Sequence, residues 1–407
     1  MIEKTKAAAV TDNKTDQNFA QLITPIITSV FAIYLTIGMT LGVLPDFIKN
    51  DLKFNSLIVG LVIGSQSLAT LLTRAYSGKI TDTKGAKLCS SKGIKLVVFS
   101  GLLYSLSAVF SSNFYLALGL VFLSRMVHGI AESMLVTAAL TWGIGLVGAE
   151  KSGKVMTWNG IAMYAGIAIG APAAIWMKSS FGIVYVFISV ILMAILSWLS
   201  TLKLPALPVD AAHIRKPFYK VIGLISGQGL GLAFSSIGFA CISSFVSLLY
   251  TEKSWGNPSM AFMTFGLFYV LTRVLFSSFT DKYGGYRVAL VSLSVEIAGQ
   301  LLIGFSVSQN MALAGCALTG IGFSLIFPAL GTLAIKKVTP QNRGTALGAY
   351  AAFFDLSLGL AGPVAGLIAG WYNYQAIYLF GATSCLLAMV ILFSNTNKKK
   401  KELVVRG

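Results

Sequence analysis

Long runs without a single charge constrain this 407-residue chain more than any other feature. Between Asp16 and Asp46 lie 29 uncharged residues, between Lys53 and Arg74 lie 20, and between Lys154 and Lys178 lie 23. Another 24 separate Lys178 from Lys203, and 31 separate Lys220 from Glu252. A helix that crosses a bilayer needs about 20 predominantly apolar residues, so each run is long enough to span one. Only 11% of the residues are charged and 56% are hydrophobic. Soluble domains carry about a quarter charged residues, so this chain cannot clothe a globule in water.

The net charge of +17 would suit a partner such as nucleic acid, but its distribution argues for a membrane instead. With loops counted on alternate sides of the predicted helices, 24 of the 31 Lys and Arg fall in the two tails and the even-numbered connections. Lys49, Lys53, Lys178 and Lys253 fall in odd-numbered connections, and Arg74, Arg125 and Arg273 fall within helices or at their ends. Positive charge gathers on the cytoplasmic side, which predicts an inner-membrane protein with both termini in the cytoplasm. The four cysteines are scattered and imply neither a disulfide framework nor a metal site, so no cofactor or metal is expected. No apolar core with a small-residue cleavage site opens the chain, so residues 1–20 read as a disordered cytoplasmic tail.

The pattern predicts an all-α integral membrane protein with helices near 22–46, 56–77, 94–112, 114–142, 154–177 and 181–202. A second set follows near 221–250, 259–279, 288–306, 310–335, 345–369 and 374–394. This divides the chain into a six-helix bundle over 21–203, a polar linker over 204–220, a second bundle over 221–395 and a basic tail over 396–407. The linker holds Asp210, His213, Arg215 and Lys216; the tail holds four consecutive lysines, Lys398 to Lys401, suited to an anionic membrane surface. The bundles are repeats. Shifted by 199 positions, Leu72, Thr73, Arg74, Thr81, Asp82 and Gly85 meet Leu271, Thr272, Arg273, Thr280, Asp281 and Gly284. Shifted by 191, Gly153 meets Gly344 and Pro172 meets Pro363.

Ionisable groups inside a bilayer are costly and turn toward protein or a wet cavity, so the few present are candidate site residues. In the fourth helix, Arg125, His128 and Glu132 fall on one face. Arg125 could bind an anionic group or tune a carboxylate; Glu132 could carry a proton or hold a cationic group; both could instead form a structural ion pair. His128 suits either a functional role or a hydrogen-bonded packing role. Asp355, in the eleventh helix, aligns with Tyr164 in the repeat and is favoured as a site residue over Glu296 of the ninth. The segments Gly166 to Pro172 and Gly359 to Pro363, with Gly170 and Gly362 inside them, place small residues where helices can approach closely and prolines where the axis bends.

The stretch after the second helix reads Gly78-Lys79-Ile80-Thr81-Asp82-Thr83-Lys84-Gly85-Ala86-Lys87 and resembles the loop signature of the major facilitator superfamily. Thr83 stands where that family usually has a basic residue. The resemblance implies a gate in which Asp82 faces the start of the eleventh helix near Gly344 and Thr345, and its copy Asp281 faces the fifth near Gly153 and Lys154. Gly78, Gly85, Gly284, Arg74 and Arg273 complete that motif. Arg125 followed by Gly129 resembles the fourth-helix signature of the same superfamily, and Gly166 to Pro172 resembles its antiporter motif, with Gly-Ala-Pro in place of Gly-Pro. The phrases Thr141 to Gly148, Ser152 to Gly160, Ser324 to Gly331 and Arg343 to Tyr350 resemble an arabinose-efflux-like branch of bacterial permeases.

The resemblance implies twelve transmembrane helices in two pseudo-symmetric bundles, with a substrate site near mid-membrane where they meet. The expected function is secondary active transport, with proton-coupled export of a small organic molecule ahead of import of an organic anion by symport. A non-transporting sensor on the same fold is a third reading. No Gly-x4-Gly-Lys-Ser/Thr loop supplies ATP, and fourteen scattered acidic residues do not cluster into an enzyme site. The expected partners are a small-molecule substrate, protons and the lipid bilayer, with no nucleic acid and a monomeric chain.

Overall fold

A computed structural model of the chain describes the backbone of residues 2–148, 151–209, 218–338 and 343–405, and the side chains of 19–148, 151–209, 221–338 and 346–394. The regular structure among the described residues is entirely helical, and twelve of the helices are long and apolar enough to cross a membrane. In chain order they are α1 (Ile2–Asp46), α2 (Ser56–Lys84), α3 (Ala86–Val109), α4 (Phe114–Val147), α5 (Ser152–Phe181) and α6 (Ile183–Thr201). The second set is α7 (Phe218–Glu252), α8 (Ser259–Phe276), α9 (Gly285–Gly304), α10 (Gln309–Ile335), α11 (Arg343–Trp371) and α12 (Tyr374–Val405). A short helix, Phe279–Tyr283, prolongs α8. In lipid every backbone N–H and C=O must bond within the protein, and a continuous helix achieves this locally.

Four of the six helix starts on the side away from the termini are capped by short polar side chains. Asn55 accepts from the backbone of Ile58 at 3.0 Å, Asn113 from Leu116 at 3.2 Å, Ser308 from Met311 at 3.4 Å and Asn373 from Ala376 at 2.9 Å. Each satisfies one of the N–H groups that a helix start leaves unpaired. On the termini side, two turns depend on glycine instead. Gly85 (φ 91°) and Gly284 (φ 83°) adopt backbone angles that L side chains rarely tolerate, and each reverses the chain in a single residue.

Helix ends are where the sequence reading needs correction. The signature expected in a loop is helical through Lys84, and α3 starts at Ala86 rather than near 94. No proline interrupts the stretch, and its lysines can keep their stems along the protein while the ammonium groups reach polar surroundings. Lys87 is one of these, donating to the carbonyls of Leu202 (3.0 Å) and Leu204 (2.6 Å) beyond the end of α6. Of the tails expected to be disordered over 1–20 and separate over 396–407, the described residues 2–20 and 396–405 are continuous with α1 and α12. Neither stretch contains a proline, and the one glycine is the last residue of the chain, so nothing breaks the helices there. The linker begins against the first half: the Trp142 indole donates to the carbonyl of Pro205 at 2.9 Å, and Leu207 covers Gly145. Asp210, His213, Arg215 and Lys216 lie outside the described residues.

The halves meet along α2 with α11 and α5 with α8. On the side away from the termini the α2–α11 seam is backbone against backbone. A Cβ on Gly60 would stand 2.0 Å from the carbonyl oxygen of Gly362, and one on Gly366 would stand 2.5 Å from that of Ser56. Beside this seam the hydroxyls of Ser56 of α2 and Tyr374 of α12 bond between the halves at 3.0 Å. Small residues permit this approach where lipid offers no hydrophobic force to drive helices together. Toward the termini packing is looser: a Cβ on Gly153 of α5 or Gly348 of α11 would have nothing within 4 Å. Gly362→Val should therefore hold the seam apart, and a short bis-thiol reagent should crosslink Ser56→Cys to Tyr374→Cys several-fold less in that background. Equal crosslinking would show that the glycines do not set the approach.

Candidate functional site

Between the halves, at mid-membrane, lies a cavity of about 50 Å³ bordered by Tyr34, Gln66, Arg125, Glu132, Tyr164 and Phe239. A water needs roughly 10–15 Å³ on this measure, so the space holds a few waters. The walls come from α1, α2, α4 and α5 of the first half and α7 and α11 of the second.

Glu132 is held by neutral donors. The Tyr34 hydroxyl donates to Oε1 at 2.9 Å, the Gln66 amide to Oε2 at 2.8 Å and the Thr70 hydroxyl to Oε2 at 3.4 Å. This grip on the carboxylate depends on Gly129. A Cβ there would stand 2.1 Å from the carbonyl oxygen of Gln66, so only glycine lets α2 cross α4 closely enough to deliver Gln66 and Thr70. Thr70 also bonds the Gly129 carbonyl at 2.9 Å, fixing the crossing.

Arg125 is buried, about a turn and a half to two turns from Glu132 along α4, and does not pair with it. Its guanidinium donates to the Ile63 carbonyl at 2.9 Å and to the Thr40 hydroxyl at 3.3 Å, and its Nε has no partner. It is a cation on the cavity wall, without a carboxylate partner among the described residues. His128 sits on the same helix face but not on the cavity: it meets Thr36 at 3.2 Å through Nε2, Nδ1 is unpartnered, and its ring lies 6.3 Å from that of Tyr104.

Asp355 behaves differently from a free site carboxylate. It forms a two-pronged ion pair with Arg74, Nε to Oδ2 and Nη2 to Oδ1, the latter at 3.0 Å. The side chains are 14% and 4% exposed, so the pair is largely withdrawn from solvent, and it joins α2 of one half to α11 of the other. Arg74, grouped by motif with the gate, thus belongs beside the cavity, about two turns from Gln66 along α2 toward the termini. Glu132 is within electrostatic reach of both members of the pair.

Arg273 is the repeat counterpart of Arg74 and is buried, whereas Arg74 is only partly so. It donates through Nη2 to the Tyr269 hydroxyl at 2.6 Å, and its guanidinium sits 5.3 Å from the centre of that ring. The Tyr269 ring in turn stacks on Tyr164 at 3.8 Å. Glu296 lies in the interior of the second half, against Gly238 of α7, and neither carboxyl oxygen has a hydrogen-bond partner among the described residues.

The two copies of the gate motif are not equivalent. Asp82 is half-buried in the last turn of α2; the side chains of Gly344 and Thr345, its expected partners, lie outside the described residues. Asp281 is exposed and has no side-chain partner among the described residues. The antiporter-like residues of α5 serve α1: a Cβ on Gly166 would stand 2.8 Å from the Phe31 carbonyl oxygen, and one on Gly170 2.3 Å from that of Leu35. Pro172 lies within α5, while Gly362 and Pro363 belong to the α2–α11 seam. Reading from sequence missed Tyr34, Gln66 and Thr70, the partners of Glu132.

A buried ion without a counter-ion costs stability, and an apolar side chain of similar length in its place removes that cost. Arg125→Met should thus leave thermal unfolding of the purified protein unchanged or raise its midpoint. A marked fall would mean that Arg125 is chiefly structural.

The sequence profile of the Major Facilitator Superfamily matches residues 26–256 and 228–406. An uncharacterized MFS-type transporter of Pseudomonas aeruginosa (strain UCBPP-PA14) is 39% identical over 360 residues, covering 88% of this chain and 89% of its own. One from Salmonella typhimurium is 37% identical over 350 residues, covering 86% and 90%. Among solved structures, the human organic anion transporter MFSD10 superposes with a TM-score of 0.73 at 16% identity, over 92% of this chain and 99% of its own. The nucleoside transporter NupG superposes with a TM-score of 0.67 at 17% identity, over 92% and 98%. Likeness at that level of identity speaks for the fold alone.

Proposed function

Because the chain belongs to the Major Facilitator Superfamily and is a secondary transporter, we propose that it exports a small organic molecule in exchange for protons by alternating access. The observation that carries the reading is Glu132, a carboxyl group on the cavity wall whose partners are all neutral. A carboxylate paired with a buried arginine holds its charge, whereas one held by hydroxyl and amide donors can gain and lose a proton without stranding a cation. When Glu132 takes up a proton, one oxygen becomes a donor, and the group facing it must respond: the Tyr34 hydroxyl of α1 by rotating its hydrogen and accepting, or the Gln66 amide of α2 by turning its NH2 away. Protonation is thereby converted into a change at the contacts of three helices.

The Arg74–Asp355 pair supplies the link between halves, within electrostatic reach of Glu132. With positive charge concentrated around the termini, the chain sits in the bacterial cytoplasmic membrane with both termini in the cytoplasm. The glycine seam then closes the outer face, and the looser side opens inward to receive cargo. Export rests on resemblance to efflux permeases. Import of an organic anion with a proton is the second reading, and Arg125 favours it as a wall cation without a carboxylate.

Proteoliposomes with an imposed pH gradient test the proposal. A substrate found by screening should move against its gradient with the wild type, and Glu132→Gln should reduce gradient-driven movement to background while exchange at equal pH persists. Undiminished proton coupling in Glu132→Gln would remove Glu132 from the mechanism, and accumulation in the direction of proton flow would replace export with import.

A further inference from the structure

The repeat gives Arg74 and Arg273 the same place in the two halves, yet only one has an anion. Arg74 reaches across the α2–α11 contact to Asp355. In the α5–α8 contact, the residue at the position of Asp355 is Tyr164, which brings no charge. Arg273 is therefore a cation 5% exposed, without a carboxylate among the described residues. Of its N–H groups only those on Nη2 are engaged, and Nε is unpartnered. The Tyr269 hydroxyl and ring compensate only in part, because cation–π attraction is far smaller than the desolvation of a buried charge. Opposite the guanidinium stands Gly160, where a Cβ would be 3.9 Å away, so no side chain fills that flank. Such low exposure keeps lipid headgroups from Arg273, whereas Tyr164, stacked on its partner Tyr269, borders the central cavity.

We propose that Arg273, with Tyr269 and Tyr164 beside it, binds the anionic group of the transported molecule, which is therefore a small organic oxyanion such as a carboxylate, sulfonate or phosphate ester. This deepens the transport reading above and rests on it. The guanidinium fork offers paired N–H groups to two oxygens of one anion, the geometry that Arg74 already uses with Asp355. In this view the substrate supplies on one side of the molecule what Asp355 supplies permanently on the other. The seat fills when the halves part toward the termini, and an occupied Arg273 is as well neutralised as Arg74, which lowers the cost of drawing α5 and α8 together. Arg125 remains a separate cation on the outer side of the cavity.

The test uses purified full-length protein in detergent, with benzoate, benzenesulfonate and phenyl phosphate as anionic probes and benzamide as the neutral counterpart. At least one anion should stabilise the wild type against thermal unfolding, and benzamide should not. Arg273→Gln should weaken the effect at least about tenfold, as expected when a buried charge loses its partner. Tyr164→Asp rebuilds the internal pair of the other half and should abolish the effect, while Tyr164→Asn, of the same size without the charge, should retain it. Stabilisation by none of the anions, equal stabilisation by benzamide, or a response that survives Arg273→Gln or Tyr164→Asp would overturn the proposal. Glu132→Gln separates the two readings. Anion binding kept with proton coupling intact in Glu132→Gln counts against the transport mechanism alone, whereas Glu132-dependent transport that ignores Arg273→Gln counts against this inference alone.

Discussion

Arg74 and Asp355 meet across the boundary between two halves of the protein, with side chains only 14% and 4% exposed. An ion pair in such a place is not a simple source of stability, because removing two charges from water costs about as much as their attraction returns. Its value is positional. Once both charges are buried, neither can leave the other without a large penalty, so α2 and α11 stay in register as long as the pair is intact. The glycine seam on the outer side of the same two helices has the complementary property: it permits close approach without requiring it. One contact fixes the depth at which the halves touch, and the other determines how closely they shut.

The remaining polar groups gain their meaning from the asymmetry between halves. Duplication gave both bundles an arginine at one depth, and substitution at the facing position left a carboxylate for Arg74 and a tyrosine for Arg273. One contact is internally neutral; the other awaits charge from outside. Glu132 lies between these extremes, held by Tyr34, Gln66 and Thr70 without a cation, so its charge is the easiest to change. A transporter needs this division of labour, since a site neutral in itself has no reason to take up either a proton or a charged ligand.

Most of the architecture was legible from the sequence because lipid imposes lengths. Charge-free runs of twenty residues or more and the 199-residue repeat leave little freedom in helix number or pairing. Helix ends were less legible: hydropathy marks where the chain leaves the hydrocarbon, while α2 and α3 continue past that point to a turn at Gly85. In the candidate site, Arg125, Glu132 and Asp355 were visible as charges in apolar company. Their partners were not, because Tyr34, Gln66 and Thr70 are ordinary in a membrane helix and become informative only when Gly129 brings α2 onto α4. The pairing of Asp355 with Arg74 was hidden for another reason: a residue matching the edge of a loop signature proved, once the helix was extended, to sit at the depth of the cavity.

The claim that the halves are tied through one buried ion pair is tested most directly by a thermodynamic cycle on the purified protein, with Arg74→Gln, Asp355→Asn and the double variant compared by reversible unfolding. Loss of one member of a buried pair costs about 3–5 kcal/mol because the other charge is stranded, so each single variant should fall by that order and the double should recover much of it. Two single effects that simply add in the double variant would contradict the account, since they would mean that Arg74 and Asp355 stabilise the protein independently.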